Sequence, residues 1–308
     1  MANYKLVTYR AVKGPRSGVV VEEEVFDVAG LTGRSAYATM LDVLNDWEAA
    51  QALLDKAAAK AKQGKVKGIP LGQAKLLAPV LYPSAIFCAG ANYVDHMREM
   101  AAIQKIDPEP DPRSMGLKPW HFIKTPRTVV ETQSTIPLPA YSKMVDWEAE
   151  LAVVIGRPAK NVPADKALDY VAGYTVANDL SARDFATRPQ IPPTSPFKYD
   201  WVSQKNFDGA CPIGPWIVPA GEIPNPQNLG IKLWVNDVLK QDSHTSKMIF
   251  SVADQVAYLS TRITLHPGDL ILTGTPSGVG LARQEFLKSG DVVRVWIEGI
   301  GTLSNTLE

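Results

Sequence analysis

Val145-Asp146-Trp147-Glu148-Ala149-Glu150-Leu151, running on into Ala152-Val153-Val154-Ile155-Gly156, reads as a strand entered by acids. Side chains alternate along a strand, which places Asp146, Glu148 and Glu150 on one face and Trp147, Ala149 and Leu151 on the other. Neighbours on one face of a strand sit about 6–7 Å apart. Carboxylates that close repel unless a cation or basic side chains compensate. A hard divalent ion such as Mg²⁺ takes carboxylate oxygens readily. An edge strand with a wet acidic face is written in the same letters, so the neighbouring segments must decide.

Working outward, the 308-residue chain is long enough for one large domain and a smaller one. It is 45% apolar and 21% charged, with acids and bases balanced at 32 each. That balance removes the electrostatic argument for nucleic acid or an anionic membrane surface. Apolar runs such as Leu151–Ile155 are far too short to span a bilayer. The amino terminus lacks the apolar core of a signal peptide, and the expected location is cytoplasmic. Two cysteines, Cys88 and Cys211, with no C-x-x-C spacing, argue against a disulfide scaffold or a thiolate zinc site.

Residues 4–30 alternate apolar and polar around Gly14-Pro15 and Ser17-Gly18, predicting a hairpin of Tyr4–Val12 with Gly18–Val28. Ser35 is a candidate cap for a helix to about Gln63, with a break near Asp46, and Gly64–Ala78 reads as a linker. Beyond it, strand-like runs recur at 119–124, 145–155, 171–177, 213–218, 229–235, 269–273 and 291–297, with helices expected at 163–170 and 250–262. Asn236-Asp237 fits a tight hairpin turn. The fold class is therefore α+β, a mixed β-rich body over 76–308 with a small amino-terminal α+β domain over 1–75. Two proline-containing stretches, 106–117 and 186–199, are candidate lids or plain surface loops.

Further candidates for chemistry flank the acidic strand. Asp179 ends the run 171–177, where an acid faces a cleft or caps the following turn. With Glu148 and Glu150 it makes three carboxylates, a common Mg²⁺ arrangement. Asp95 is a candidate cap for a short helix on which His96 and Glu99 share a face. A carboxylate orienting an imidazole makes a general base, although the same spacing serves surface pairs. Lys124, Arg183 and Lys205 each close or follow an apolar stretch that could aim them inward. The run Asp269–Gly280 is a strand opening into a glycine-rich loop without the Gly-Lys-Ser/Thr ending of a phosphate loop. Backbone N–H groups there could hold a small carboxylate.

Together these segments resemble the fumarylacetoacetate hydrolase family over roughly residues 80–305. The matching stretches begin at Gly90, Val145, Gly173, Cys211, Thr245 and Leu272, among them Gly90-Ala-Asn-Tyr-Val-Asp-His and Leu272-Thr-Gly-Thr-Pro-Ser-Gly-Val-Gly. The resemblance implies a β-rich catalytic fold of the roll or sandwich kind, usually a homodimer. It implies Mg²⁺, with Mn²⁺ or Ca²⁺ as alternatives, on Glu148, Glu150 and Asp179. His96, Glu99 and Lys205 match the family's catalytic positions, Arg183 its substrate-facing arginine, and Gly274-Thr275 the stretch that grips the substrate carboxylate. Lys124 is a further substrate-binding candidate.

The resemblance implies a small 2-oxo acid substrate, which those residue types suit. Its carboxylate and keto oxygens chelate an ion that acts as a Lewis acid where enolate charge develops. The reading adopted is C–C bond hydrolysis of a 2,4-dioxo acid of the acylpyruvate or fumarylpyruvate type, as in aromatic catabolism. There His96 activates water and the leaving carbanion is held as an enolate on the metal. Oxaloacetate-type decarboxylation and 2-hydroxydienedioate isomerisation use the same site and stand as alternatives, with a non-catalytic metal-binding paralogue behind them. The chain departs from many relatives at Ala186, where they carry Gln, and over Asp242–Lys247. Phe197, Tyr199 and Trp201 in the proline-rich loop suggest a substrate with an apolar or aromatic tail.

Overall fold

The strand Ala149–Ile155 is buried along its whole length, which requires cover on both faces. Leu151, Val153 and Ile155 enter one core, Ala152 and Val154 the other. The computed structural model describes residues 4–64 and 66–308. Ala149–Ile155 pairs antiparallel with Val171–Asn178 on one side and Leu270–Leu272 on the other. It thus lies in the middle of a 12-stranded sheet.

From one edge that sheet runs Ile69–Pro70, Glu24–Asp27, Gly14–Val21, Lys5–Ala11, Cys211–Pro219, Val171–Asn178, Ala149–Ile155, Leu270–Leu272, Ile86–Ala89 and His121–Lys124, with Leu76–Leu77 and Val129–Val130 paired to Lys5–Ala11 and Cys211–Pro219 off this path. A second sheet of five strands runs Val238–His244, Gly230–Val235, Val292–Ile297, Gly301–Leu307 and Thr135–Ile136. Between the sheets lies the larger core, where Leu151, Val153, Tyr174 and Val176 meet Ile231, Leu233, Val293 and Val295. On the far face, Met40, Val43, Leu44, Trp47 and Leu54 cover Ala152, Val154, Ile213 and Leu270. The mixed, sheet-rich α+β architecture is the one the sequence predicts.

Several local expectations are corrected. The helix after Ser35 starts later, because Thr39 and Asp42 form a reciprocal capping box at Met40–Asn45, and Trp47–Ala61 follows after the break at Asp46. The predicted second hairpin strand is split into Gly14–Val21 and Glu24–Asp27 by a turn with Glu22 at φ 55°. The stretch expected as a linker is stitched into the sheet, with Leu76–Leu77 pairing to Lys5–Ala11 and Ile69–Pro70 to Glu24–Asp27. The amino-terminal hairpin also pairs with the body, Leu6 opposite Ile217. Residues 164–170 form a 3₁₀ helix, and the late helix is Val252–Arg262, capped by Ser251. The Asn236-Asp237 turn has both residues at positive φ, 48° and 67°, as a tight primed hairpin turn requires.

The most consequential correction concerns the opening motif. The strand is interrupted at Trp147-Glu148, and Val145–Asp146 pairs separately with Ser181–Ala182. The alternation therefore resets, and Asp146 leaves the face shared by Glu148 and Glu150. Its carboxylate accepts from the backbone N–H groups of Gly280 (2.6 Å) and Leu281 (3.0 Å), opening the helix Gly280–Arg283.

Candidate metal centre and active site

Two adjacent strands deliver the acids. Glu148 immediately precedes the central strand, Glu150 is its second residue, and Asp179 follows the end of its neighbour Val171–Asn178. The junction is locked by its own backbone: Asp179 N–H donates to the Glu148 carbonyl (2.9 Å), and Glu148 N–H donates to Asn178 Oδ1 (2.9 Å). Glu148, Glu150 and Asp179 are buried, each with an oxygen within 4.8 Å of the others.

Buried carboxylates need compensation, and three cations supply it. Lys205 Nζ donates to Asp179 Oδ2 (2.7 Å) and Glu148 Oε2 (3.0 Å). Lys124 Nζ donates to Asp179 Oδ1 (2.6 Å) and the Leu180 carbonyl (3.0 Å). Arg183 bridges Asp146 (2.8 Å) and Glu148 (2.5 Å). Burial drives the Glu148 carboxyl up, but Lys205 and Arg183 outweigh it and hold the group at about 2. Burial lowers the Lys205 ammonium, and Asp179 and Glu148 reverse that and raise it. Among the described residues no lysine or arginine bonds to Glu150. Burial, then the charges of Asp179 and Glu148, push it well up, while the Gly274 N–H donates to it at 2.6 Å.

All three acids offer oxygen, all face one point, and Glu150 lacks a counter-charge. That donor set fits a hard divalent cation, which would supply the missing positive charge.

The helix Val94–Gln104 brings the imidazole. Its cap is Tyr93, and Asp95 instead sits in the first turn, accepting from Ser243 Oγ (2.6 Å) and Lys247 Nζ (3.1 Å). His96 Nδ1 faces Glu99 Oε2 at 3.7 Å, an ion-pair distance beyond a hydrogen bond. Both Glu99 oxygens accept from the Gly278 N–H at 2.9 Å. The glycine loop thus holds Glu99 beside His96.

A cavity of about 120 Å³ brings His96, Glu148, Arg183, Lys205 and Thr275 together under Trp120, Phe122 and Trp201. Two sequence candidates sit elsewhere than expected. Lys124, at 1% exposure, lies behind Asp179 and does not line the cavity, because it is the charge partner of that acid. The Gly274 N–H is committed to Glu150, leaving Thr275, whose Oγ1 accepts from Gln241, as the loop's contribution to the wall. Tyr199 and Trp201 stack at the mouth, with Trp201 also stacked on Phe122 at 5.4 Å.

Sequence reasoning missed three contributors. Asn92 ties the Thr273 carbonyl to Phe250 through its amide, holding the glycine loop against the helix start. Trp120 lies over Gly90, where an added Cβ would come within 1.7 Å of the indole. Gln204 lines the cavity next to Lys205. The one available signal was adjacency to residues already singled out.

Residues 85–308 match the family model described as fumarylacetoacetate (FAA) hydrolase C-terminal. Human mitochondrial oxaloacetate tautomerase FAHD2B is 37% identical over 98% of this chain and 90% of its own length. Maleylpyruvate hydrolase from Sphingobium sp. SYK-6, solved with manganese(II) and pyruvate, superposes with TM-score 0.74 at 28% identity over 98% of both chains. A 2-hydroxyhepta-2,4-diene-1,7-dioate isomerase from Mycobacterium marinum superposes with TM-score 0.69 at 31% identity over 98% of this chain and 97% of its own. No helix among the described residues is long and apolar enough to cross a membrane.

Proposed function

Since the chain belongs to the fumarylacetoacetate hydrolase family, we propose that it is an enzyme interconverting the keto and enol forms of a small 2-oxo diacid of the oxaloacetate type. The observation that carries this is the cavity: His96 shares about 120 Å³ with Glu148, Arg183 and Lys205. An engineered cavity of about 150 Å³ just admits benzene. A chamber of that size takes a small 2-oxo acid. Proton transfer within the substrate needs no second reactant. The similarity to the human tautomerase over nearly the whole chain supports the same reading.

In this reading Glu148, Glu150 and Asp179 would hold Mg²⁺ or Mn²⁺, which would supply Lewis acidity for the 2-oxo acid oxygens. Lys205 keeps positive charge beside the same carboxylates. With Nδ1 of His96 turned to Glu99, Nε2 takes the proton from C3 as the electron pair closes the C2–C3 double bond. The same imidazole returns that proton to the C2 oxygen, so atoms balance as an isomerisation. Trp120, Phe122 and Trp201 restrict water at the mouth.

C–C hydrolysis of an acylpyruvate, the first choice from sequence, is the second reading, favoured by the aromatic mouth and the structural likeness to maleylpyruvate hydrolase. The homodimer implied by the family belongs to this proposal and is checked by light scattering. The deciding assay follows loss of enol absorbance from oxaloacetate, and pyruvate release from acylpyruvates, with Mg²⁺, Mn²⁺ or chelator. Tautomerisation that disappears on chelation and in His96→Ala supports the first reading. Pyruvate and a carboxylic acid from an acylpyruvate, with no effect on oxaloacetate enol, refutes it in favour of the second.

A further inference from the structure

Gln204 is 4% exposed, lines the cavity beside Lys205, and its Oε1 has no hydrogen-bond partner among the described residues. A buried amide oxygen without a partner costs free energy unless a ligand or water answers it. The two ends of an amide exchange by a flip, so the group can present an acceptor or two donors to a ligand.

Its placement is specific. The one-turn helix Trp201–Lys205 is capped by Asp200, whose Oδ1 accepts from the Ser203 N–H at 3.0 Å. One end of the turn is fixed by Trp201 stacked on Phe122, the other by Lys205 bound to Asp179 and Glu148. Consecutive helical residues point about 100° apart. Gln204 therefore opens onto the same chamber as Lys205 without joining the carboxylates. Arg183 and Lys205 are already engaged with Asp146, Glu148 and Asp179. The remaining wall near Gln204 is aromatic: Trp120, Phe122 and Trp201.

We infer that Gln204 is the specificity residue for the polar group a substrate carries beyond its 2-oxo acid head, a second carboxylate or carbonyl, and that it separates 2-oxo diacids from 2-oxo monoacids. This rests on the 2-oxo acid reading proposed above. The head occupies the end of the chamber bounded by Glu148, His96 and Lys205. A substituent on C3 then meets a wall of rings interrupted by one uncommitted amide. A carboxylate or keto oxygen there accepts from the amide Nε2, and the Oε1 left without a partner takes a donor such as a water.

The test uses the full chain with Mn²⁺ and two ligands that share a head and differ by one carboxylate, pyruvate and oxaloacetate. Calorimetry gives the Kd of each for wild type, Gln204→Leu and Gln204→Asn, and the tautomerase assay gives KM and kcat. Gln204→Leu is expected to weaken oxaloacetate by about 10- to 100-fold, the range of a charge-assisted hydrogen bond, and to leave pyruvate within about twofold. The loss falls on KM, with kcat within about threefold. Gln204→Asn, which keeps the amide one carbon shorter, gives an intermediate loss and stands in if Gln204→Leu does not fold. Equal weakening of both ligands, or of neither, overturns the role of Gln204 alone. A wild-type protein that binds neither compound refutes the 2-oxo acid reading, and this inference with it.

Discussion

Removing one carboxylate from the cluster should abolish ion binding without harming the metal-free fold, and Glu150 is the residue to remove. Its carboxyl is pushed up by burial and then by Asp179 and Glu148, and no lysine or arginine among the described residues is bonded to it. Glu150→Gln keeps the shape and still accepts the Gly274 N–H, so the chelated protein should melt within about 2 °C of wild type, or higher. The wild-type gain from an ion at a hundredfold over its Kd is about 2.7 kcal/mol. Unfolding entropy of about 2.1 cal/mol/K per residue over 308 residues converts that to a midpoint rise of about 4 °C. In Glu150→Gln the rise should fall below about 1 °C. Asp146→Asn is the control from the same motif. It should lower the chelated midpoint, because Arg183, Gly280 and Leu281 lose their carboxylate, yet keep the full ion-induced rise. Differential scanning calorimetry after chelation, with and without Mn²⁺, reads both quantities. A full rise retained in Glu150→Gln, or lost in Asp146→Asn, would refute the assignment of the ion to this cluster.

Other consequences follow from buried charge and close packing. Lys124→Met strands Asp179 without one of its two lysines; breaking such a buried pair costs about 3–5 kcal/mol, seen as a chelated midpoint about 5–8 °C lower. His121, held down to about 4 by burial, is neutral when folded at neutral pH. Because its folded value lies below the unfolded 6.5, this contribution is complete above pH 6.5 and is lost as pH falls from 6.5 towards 4. The loss reaches about 3 kcal/mol, and urea titrations of His121→Phe should lack that part of the acid-side decline; identical pH profiles would sink the argument. Gly90→Ala drives a Cβ into the Trp120 ring and should cost about 1–3 kcal/mol in urea midpoint analysis, most of it recovered in the double variant with Trp120→Ala. Additive losses in that cycle would show that the indole does not rest on Gly90.

What the sequence by itself determined was which candidate residues stand close together along the chain. Glu150 lies on one strand with Glu148 just ahead of it, Asp179 follows another, and His96 and Glu99 share one helical turn. These are local relations, set by backbone periodicity, and periodicity is legible in one dimension. The sheet-rich body was legible for the same reason, and so was the Asn236-Asp237 turn, whose residue types tolerate positive φ.

Tertiary structure decided what each charge does. Asp146 shares the motif with Glu148, yet a strand break turns it to Gly280 and Arg183, because a bonding partner 134 residues away competes for it. Lys124 is an acid's counter-charge, the Gly274 N–H belongs to Glu150, and Gln204 faces the cavity with an amide oxygen unused. Each of those outcomes depends on which distant group reaches a buried atom first in a medium where an unpaired charge is costly. Sequence spacing carries no record of that competition, so the roles could be read only once the strands and the helix had been brought together.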